Sequence, residues 1–350
     1  MSSSMSKVTH NQEYKRKKRT TTMIKRITLL IAIGLLGLIS DARMKPLRFV
    51  NGTFKIVQFT DLHWVEDSSF KTKNDSTLNL MRDILNAEKP DLAVITGDVV
   101  VGSNAKPGWD KICKLFEESH VPFVVTFGNH DHESDMSNAE ILEYIADKPY
   151  NLTFDEDRKI HGSGNCSMPV KASEGSGDKW MLYFFDSNSY PKDKSCGTYD
   201  WIHYDQIEWY RNTGDRIRIR HGHSLPSLAF FHIPLPEYGD TLLVKKIVGN
   251  KHESVCSPKL NSGLFSAFLE QGDVIGVFVG HDHNNDYLAD IDSKIVLAYG
   301  RKTGYPPAYE EVLSRGARIV ILREDKPSFE TYIVDSSGAS LRYEFTKILK

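Results

Sequence analysis

The sequence predicts an α/β fold in which two mixed β-sheets pack as a sandwich flanked by helices. Three observations predict it. Short β-branched or aromatic runs of strand length recur through the first part of the chain. Segments with helical periodicity lie between them. The C-terminal third changes to strands separated by tight turns, the pattern of an antiparallel meander. Parallel units followed by antiparallel strands imply two mixed sheets rather than one open sheet.

The buried runs come first. KIVQFT leads into Asp61-Leu62-His63, DLAVIT into Gly97-Asp98, and PFVVTF into Gly128-Asn129-His130-Asp131. Further on, SLAFF leads into His232, and VIGVFV into Gly280-His281-Asp282-His283. Runs apolar on both faces suit strands covered on both sides. Ligands of open α/β sheets bind just beyond the carboxyl ends of such strands. Asp, His and Asn are therefore delivered repeatedly to one sheet edge.

The helices follow. Leu78, Met81, Ile84 and Leu85 share one face of a helix expected over Ser76–Glu88, stopped by Pro90. Trp109, Ile112, Leu115 and Phe116 mark a second. Ser137 and Glu140 form a capping box that opens a third, with Ile141, Leu142 and Ile145 inward. Helices also fit Tyr204–Asn212 and Ser262–Gln271, the latter closed by Gly272. NCSMPV and WMLYFFD read as a hairpin around a Gly/Ser-rich loop. ARIVILRE, SFETYIVD and SLRYEF form the meander. The basic segment from Arg216 to His223 reads as an exposed loop.

The chain has 350 residues and a formal net charge of −2. That balance gives no sign of a nucleic-acid partner. A basic stretch, Lys15 to Arg19 and Lys25-Arg26, precedes an apolar stretch from Ile27 to Ile39. The stretch is shorter than the roughly 20 residues a spanning helix needs. Residues 1–42 therefore read as a signal peptide, with an uncleaved anchor as the alternative, and residues 43–350 as a single domain. The expected location is exported (periplasmic, extracellular or secretory pathway), or membrane-anchored. Cys113, Cys166, Cys196 and Cys256 lack zinc or redox spacing and read as buried thiols or one disulfide.

Imidazole and carboxylate donors at strand ends suit Zn, Fe or Mn. Two divalent cations side by side can clamp the attacking and leaving oxygens of a displacement at phosphorus. Asp-x-His, Gly-Asp, Gly-Asn-His-Asp, a strand-end His and Gly-His-x-His occur here in order between residues 61 and 283. In these motifs the chain resembles the calcineurin-like metallophosphoesterases. LYFFDSNSY, AFFHIPLPEY and FVGHDHNNDY are similar to a subgroup related to purple acid phosphatases.

The resemblance implies a four-layer α/β/β/α sandwich and a metal-dependent phosphohydrolase. Its substrates would be phosphate esters, with phosphomonoesters favoured. A phosphodiesterase of the same fold and a non-catalytic binding protein are the alternatives. It further implies that Asp61, His63 and His283 hold one metal ion, that Asp98 bridges, and that Asn129, His232 and His281 hold the second. His130 would assist the transferring phosphoryl group or the leaving oxygen, and Asp131 would orient its neighbour. Asp186 and Asn188 read either as pocket residues or as ordinary turn residues, Tyr238 and Tyr305 lie in loops expected on the active edge, and His132 reads as a surface histidine. Arg301 reads as a solvated loop arginine or a phosphate binder.

The chain departs from the purple enzymes of that likeness. They carry a metal-bound Tyr where this sequence has Val101, and they lack a histidine at the position of His63. Iron-loaded protein should therefore show no tyrosinate charge-transfer band; a purple absorption in the middle of the visible spectrum would contradict this reading.

Overall fold

A computed structural model describes residues 46–347. The signal or anchor expected over residues 1–42 lies outside the described residues. The elements, in chain order, are β1 (Thr53–Phe59), α1 (Lys71–Glu88), β2 (Leu92–Thr96), α2 (Ala105–Ser119), β3 (Phe123–Thr126), α3 (Asn138–Ile145), β4 (Cys166–Lys171), β5 (Asp178–Phe184), α4 (Tyr204–His221), β6 (Ser227–Phe230), α5 (Leu264–Gln271), β7 (Val274–Val279), β8 (Leu288–Ile291), β9 (Ile295–Tyr299), β10 (Gly316–Arg323), β11 (Ser328–Asp335) and β12 (Gly338–Thr346).

They form two six-stranded sheets. The first runs β12-β11-β10-β1-β2-β3 and the second β4-β5-β6-β7-β9-β8. In the first, β1, β2 and β3 are parallel and β10 to β12 add an antiparallel meander. In the second, β5, β6, β7 and β9 are parallel, and antiparallel β4 and β8 close the two edges. Both sheets are mixed, as the change of pattern along the chain requires.

Strand alternation builds the layers. In β1, Phe54 and Ile56 face the second sheet, while Val57 and Phe59 face the helices. In β2, Leu92 and Val94 face inward, and Ala93 and Ile95 outward. One apolar layer therefore lies between the sheets. A second holds α1, α2 and α3 on the first sheet, and a third holds α4 and α5 on the second. Helix, sheet, sheet and helix make four layers. The Ser137–Glu140 capping box and the left-handed Gly272 stop are both present.

Two local expectations change. The first helix starts at Lys71, because Asn74 and Thr77 bury polar side chains that bond to backbone and so extend it. The basic segment after Asn212 is helix, not loop: α4 runs to His221 and ends at left-handed Gly222. Its arginines point to solvent and pair with Glu270, Glu156 and Asp215. All four cysteines are free thiols, two buried and two half-buried.

One buried cation ties the sheets together. Arg318 of β10 is fully buried. It donates to the carbonyls of Tyr299 and Asp286, both at 2.6 Å, and to Thr331 Oγ1 at 3.1 Å. Tyr299 ends β9, so the bond crosses from one sheet to the other. Arg318→Ala should orphan these acceptors and open a void, costing about 3 kcal/mol. Urea unfolding measures this, and an unchanged midpoint would show that the guanidinium bridges nothing of consequence.

Candidate metal centre

Asp61, His63, Asp98, Asn129, His232, His281 and His283 all follow directly on parallel strands. Asp61 and His63 follow β1, Asp98 follows β2, Asn129 and His130 follow β3, His232 follows β6, and His281 and His283 follow β7. All of these except His130 are buried.

The turns that present them are strained. Asp61, His63, Asp98 and His281 have φ of 54°, 47°, 51° and 76°. An L residue in that left-handed region costs roughly 1–2 kcal/mol. Strain of this kind persists only where the surroundings over-determine it, and it gathers at functional sites. The Gly of each motif answers a second need, close approach. A Cβ on Gly128 would collide with the Asp98 carboxylate, and one on Gly280 with Thr60 Oγ1 and Asp61. The glycines let neighbouring strand ends crowd together.

Two donor groups result: Asp61, His63 and His283, and Asp98, His232 and His281. His283 Nε2 lies 3.2 Å from Asp61 Oδ1. His232 Nε2 lies 3.2 Å from Asp98 Oδ2, and His63 Nε2 lies 3.5 Å from the same oxygen. Asp98 Oδ2 therefore faces a histidine of each group. Its other oxygen accepts from the His130 backbone N–H at 2.8 Å. Asp61 Oδ1, His63 Nε2, Asn129 Oδ1 and His281 Nε2 are buried and make no hydrogen bond within the protein. Orphaned buried polar atoms are costly unless something else satisfies them. These four, all N or O, gather where the strand ends of both sheets meet, not at the edge of one sheet, and fit a pair of cations.

The electrostatics agree. Burial and the neighbouring His232 push His281 down to about 3. Burial and Lys302 hold His63 well below its usual value. Both imidazoles are thus neutral, the form that binds metal, whereas against burial Asp98 raises His232 to about 10 and Asp61 raises His283. Burial alone would raise both carboxyls, but His283 beside Asp61 and His232 beside Asp98 outweigh it and hold them low.

A cleft of about 650 Å³ opens on the donors. His63, Asp98, His281 and His283 form its floor, with His130, Glu133, Tyr199, Glu253 and Tyr309 among its walls. Val101 lines it where the purple enzymes' tyrosine would stand. Asn129 sits beneath His130, its Nδ2 donating to the Tyr190 hydroxyl at 3.0 Å.

Asp131 does not orient His130. Its carboxylate is fully buried and accepts from the backbone N–H groups of Asp98, Val99, Val100 and Gly128, at 2.8–3.3 Å. It staples the turn that carries Asp98. Only the Gly128 donor is local; the other three belong to the turn after β2. The partner of His130 is Glu133, whose Oε2 lies 2.6 Å from Nδ1. Tyr190 links this pair to Asn129 by donating to Glu133 Oε1 at 2.9 Å. Sequence reasoning missed Glu133, although its spacing of three from His130 is the one a tight helical turn brings together.

Other expectations also fall away from the cleft. The Arg301 side chain is buried, not solvated and not facing substrate. It pairs with Asp286 and donates to Ser314 at 2.9 Å. Tyr238 is fully buried and donates to the Val277 carbonyl. Tyr305 lines a separate groove of about 620 Å³ beside α1. Asp186 accepts from the N–H groups of Ser163 and Asn188, as an ordinary turn residue. Asn188 donates to Trp201 and Gln206. His132 is exposed, its ring against Tyr190.

The chain is similar to known proteins. The family model described as calcineurin-like phosphoesterase matches residues 54–285. An Arabidopsis thaliana protein named probable inactive purple acid phosphatase 14 is 32% identical over 83% of this chain and 80% of its own. The Saccharomyces cerevisiae phosphatase DCR2 is 31% identical over 71% of this chain and 48% of its own. In structure, the chain is similar to a dimetal phosphatase from Danio rerio. The TM-score is 0.57 at 12% identity, over 84% of this chain and 99% of that one.

If Asp98 is shared by both cations, Asp98→Ala should remove both. Elemental analysis of the purified variant tests this. Retention of one full equivalent would show that the two donor groups are independent.

Proposed function

This chain belongs to the calcineurin-like phosphoesterase family, and from that premise we propose that it is a hydrolase of phosphomonoesters working with two metal ions. The observation that carries the reading is the shared oxygen of Asp98 between two donor groups, directly beneath the cleft wall that presents His130. Asp61, His63 and His283 would hold one cation and Asn129, His232 and His281 the other, with Asp98 common to both. Iron, manganese and zinc all suit this donor set. When bound, such a pair supplies Lewis acidity toward phosphate oxygens and an activated water.

The protein's own groups do the rest. His130 is one-third exposed at the cleft wall and is held by Glu133. Glu133 accepts from Nδ1–H, so Nε2 donates only when the ring is doubly protonated, either to a phosphoryl oxygen that gains charge or to the departing alkoxide. Tyr190 keeps Glu133 in place. The cleft lining contains no Lys or Arg among the described residues; its charged wall residues Glu133 and Glu253 are acidic. Those walls disfavour long polyanions, which supports small phosphomonoesters over nucleic acids and nucleoside polyphosphates. A phosphodiester substrate remains the alternative within the same chemistry.

Plant relatives named probable inactive purple acid phosphatases favour a second reading, a non-catalytic binding protein on the same scaffold. Against it stands the full donor set together with His130 and its carboxylate partner. No helix among the described residues is long and apolar enough to cross a membrane. The basic and apolar N-terminal stretch supports export.

Rates on a nitrophenyl monoester and on its bis-ester test the proposal. His130→Ala should lose about 10²–10⁴ in monoester rate while both metals stay bound. Hydrolysis at the wild-type rate would remove His130 from the chemistry. No turnover of either ester by metal-loaded wild type would favour the binding protein.

A further inference from the structure

The segment between β9 and β10 folds back over one donor group only. Glu311 Oε1 lies 2.7 Å from His283 Nδ1, and both side chains are almost fully buried. Lys302, also buried, reaches Glu311 Oε1 at 3.3 Å and donates to the Asp61 carbonyl at 3.2 Å. Arg315 pairs with the other Glu311 oxygen. Tyr309 stacks on the His283 ring, with centroids 4.7 Å apart and planes 10° from parallel. Its hydroxyl accepts from the His283 backbone N–H at 2.8 Å and donates to Glu253 at 2.9 Å. Arg301 anchors the base of the segment through Asp286, Ser314 and Asp335.

The other donor group has no such support. His232 Nδ1 pairs with a backbone carbonyl, that of Thr96, at 2.7 Å. His281 Nδ1 meets only His232, at 3.2 Å. Among the described donor imidazoles, His283 alone is backed by a carboxylate outside the donor set.

We propose that Glu311 is a positioning residue for the Asp61–His63–His283 half of the centre, with Lys302 and Arg315 as its buried counter-charges. The inference rests on the dinuclear reading above. Glu311 accepts the Nδ1 proton of His283, so the Nε2 lone pair points at Asp61, where a cation would lie. Tyr309 fixes the ring plane. The two halves of the centre are therefore supported unequally, and the affinity of one of them depends on a residue far along the chain.

Glu311 cannot be removed alone without leaving Lys302 as an unpaired buried cation. The test therefore uses a Lys302→Met background, to which Glu311→Gln or Glu311→Leu is added. Metal-free full-length proteins are titrated with Zn²⁺, and the His283 ring is followed by ¹⁵N NMR at pH 9. Wild type and Lys302→Met should bind two Zn²⁺ with His283 as the Nδ1–H tautomer. Gln keeps an acceptor but loses the charge, and should weaken one of the two sites about tenfold. Leu keeps neither, and should weaken that site about 100-fold and release the tautomer. The second site should be unchanged in both. A folded Gln variant that binds both ions as tightly as Lys302→Met overturns the inference alone, whether or not the Leu variant folds. Wild-type protein that takes up fewer than two Zn²⁺ overturns the dinuclear reading and this inference with it.

Discussion

The constraint on which the structure turns is the burial of two carboxylates, Asp61 and Asp98, within one cluster of imidazoles. A buried carboxylate costs several kcal/mol unless opposite charge or hydrogen bonds compensate it. Here each pairs with a histidine at 3.2 Å, and the unpaired donor atoms between them ask for cations. The tight turns, the glycines and the sheet arrangement all serve this crowding.

Two sheets in face-to-face packing make it possible. Asp61, Asp98 and Asn129 come from the first sheet, and His232, His281 and His283 from the second. The centre sits where carboxyl ends of parallel strands from both sheets meet. Arg318 and Gln58 bond from one sheet to the other nearby. Any sliding of one sheet over the other would separate the donors, so the apolar layer between the sheets acts as the scaffold of the chemistry.

Around this core the supporting residues divide their tasks by reach. Asp131 is short and satisfies turn backbone, which fixes Asp98 from behind. Glu133 is one carbon longer, leaves the turn and meets His130. Glu311 arrives from another part of the chain and meets His283. Carboxylates of similar charge thus hold turn backbone, the cleft-wall imidazole of His130 and the buried imidazole of His283, and geometry alone assigns the roles.

Much of this was legible in the sequence, for a physical reason. Strand period, the capping box and the glycines before Asp98, Asn129 and His281 are local properties, so the chain order alone identifies the mixed sheets, the helices and the residues at the strand ends. Local pattern failed where long-range contact decides. The Arg216–His223 segment continues the helix to the left-handed Gly222, with Arg216 paired to Glu156 across the fold and Arg218 to Asp215 one turn back, contacts that its composition does not reveal. Arg301 is buried because Asp286 and Asp335 fold against it, and Glu311 reaches His283 from an aperiodic loop that carries no signal of its own. The sequence by itself determined which side chains arrive at the sheet edge; only the tertiary structure decided which groups stand behind them, because second partners are chosen by proximity across the fold and not by spacing along it.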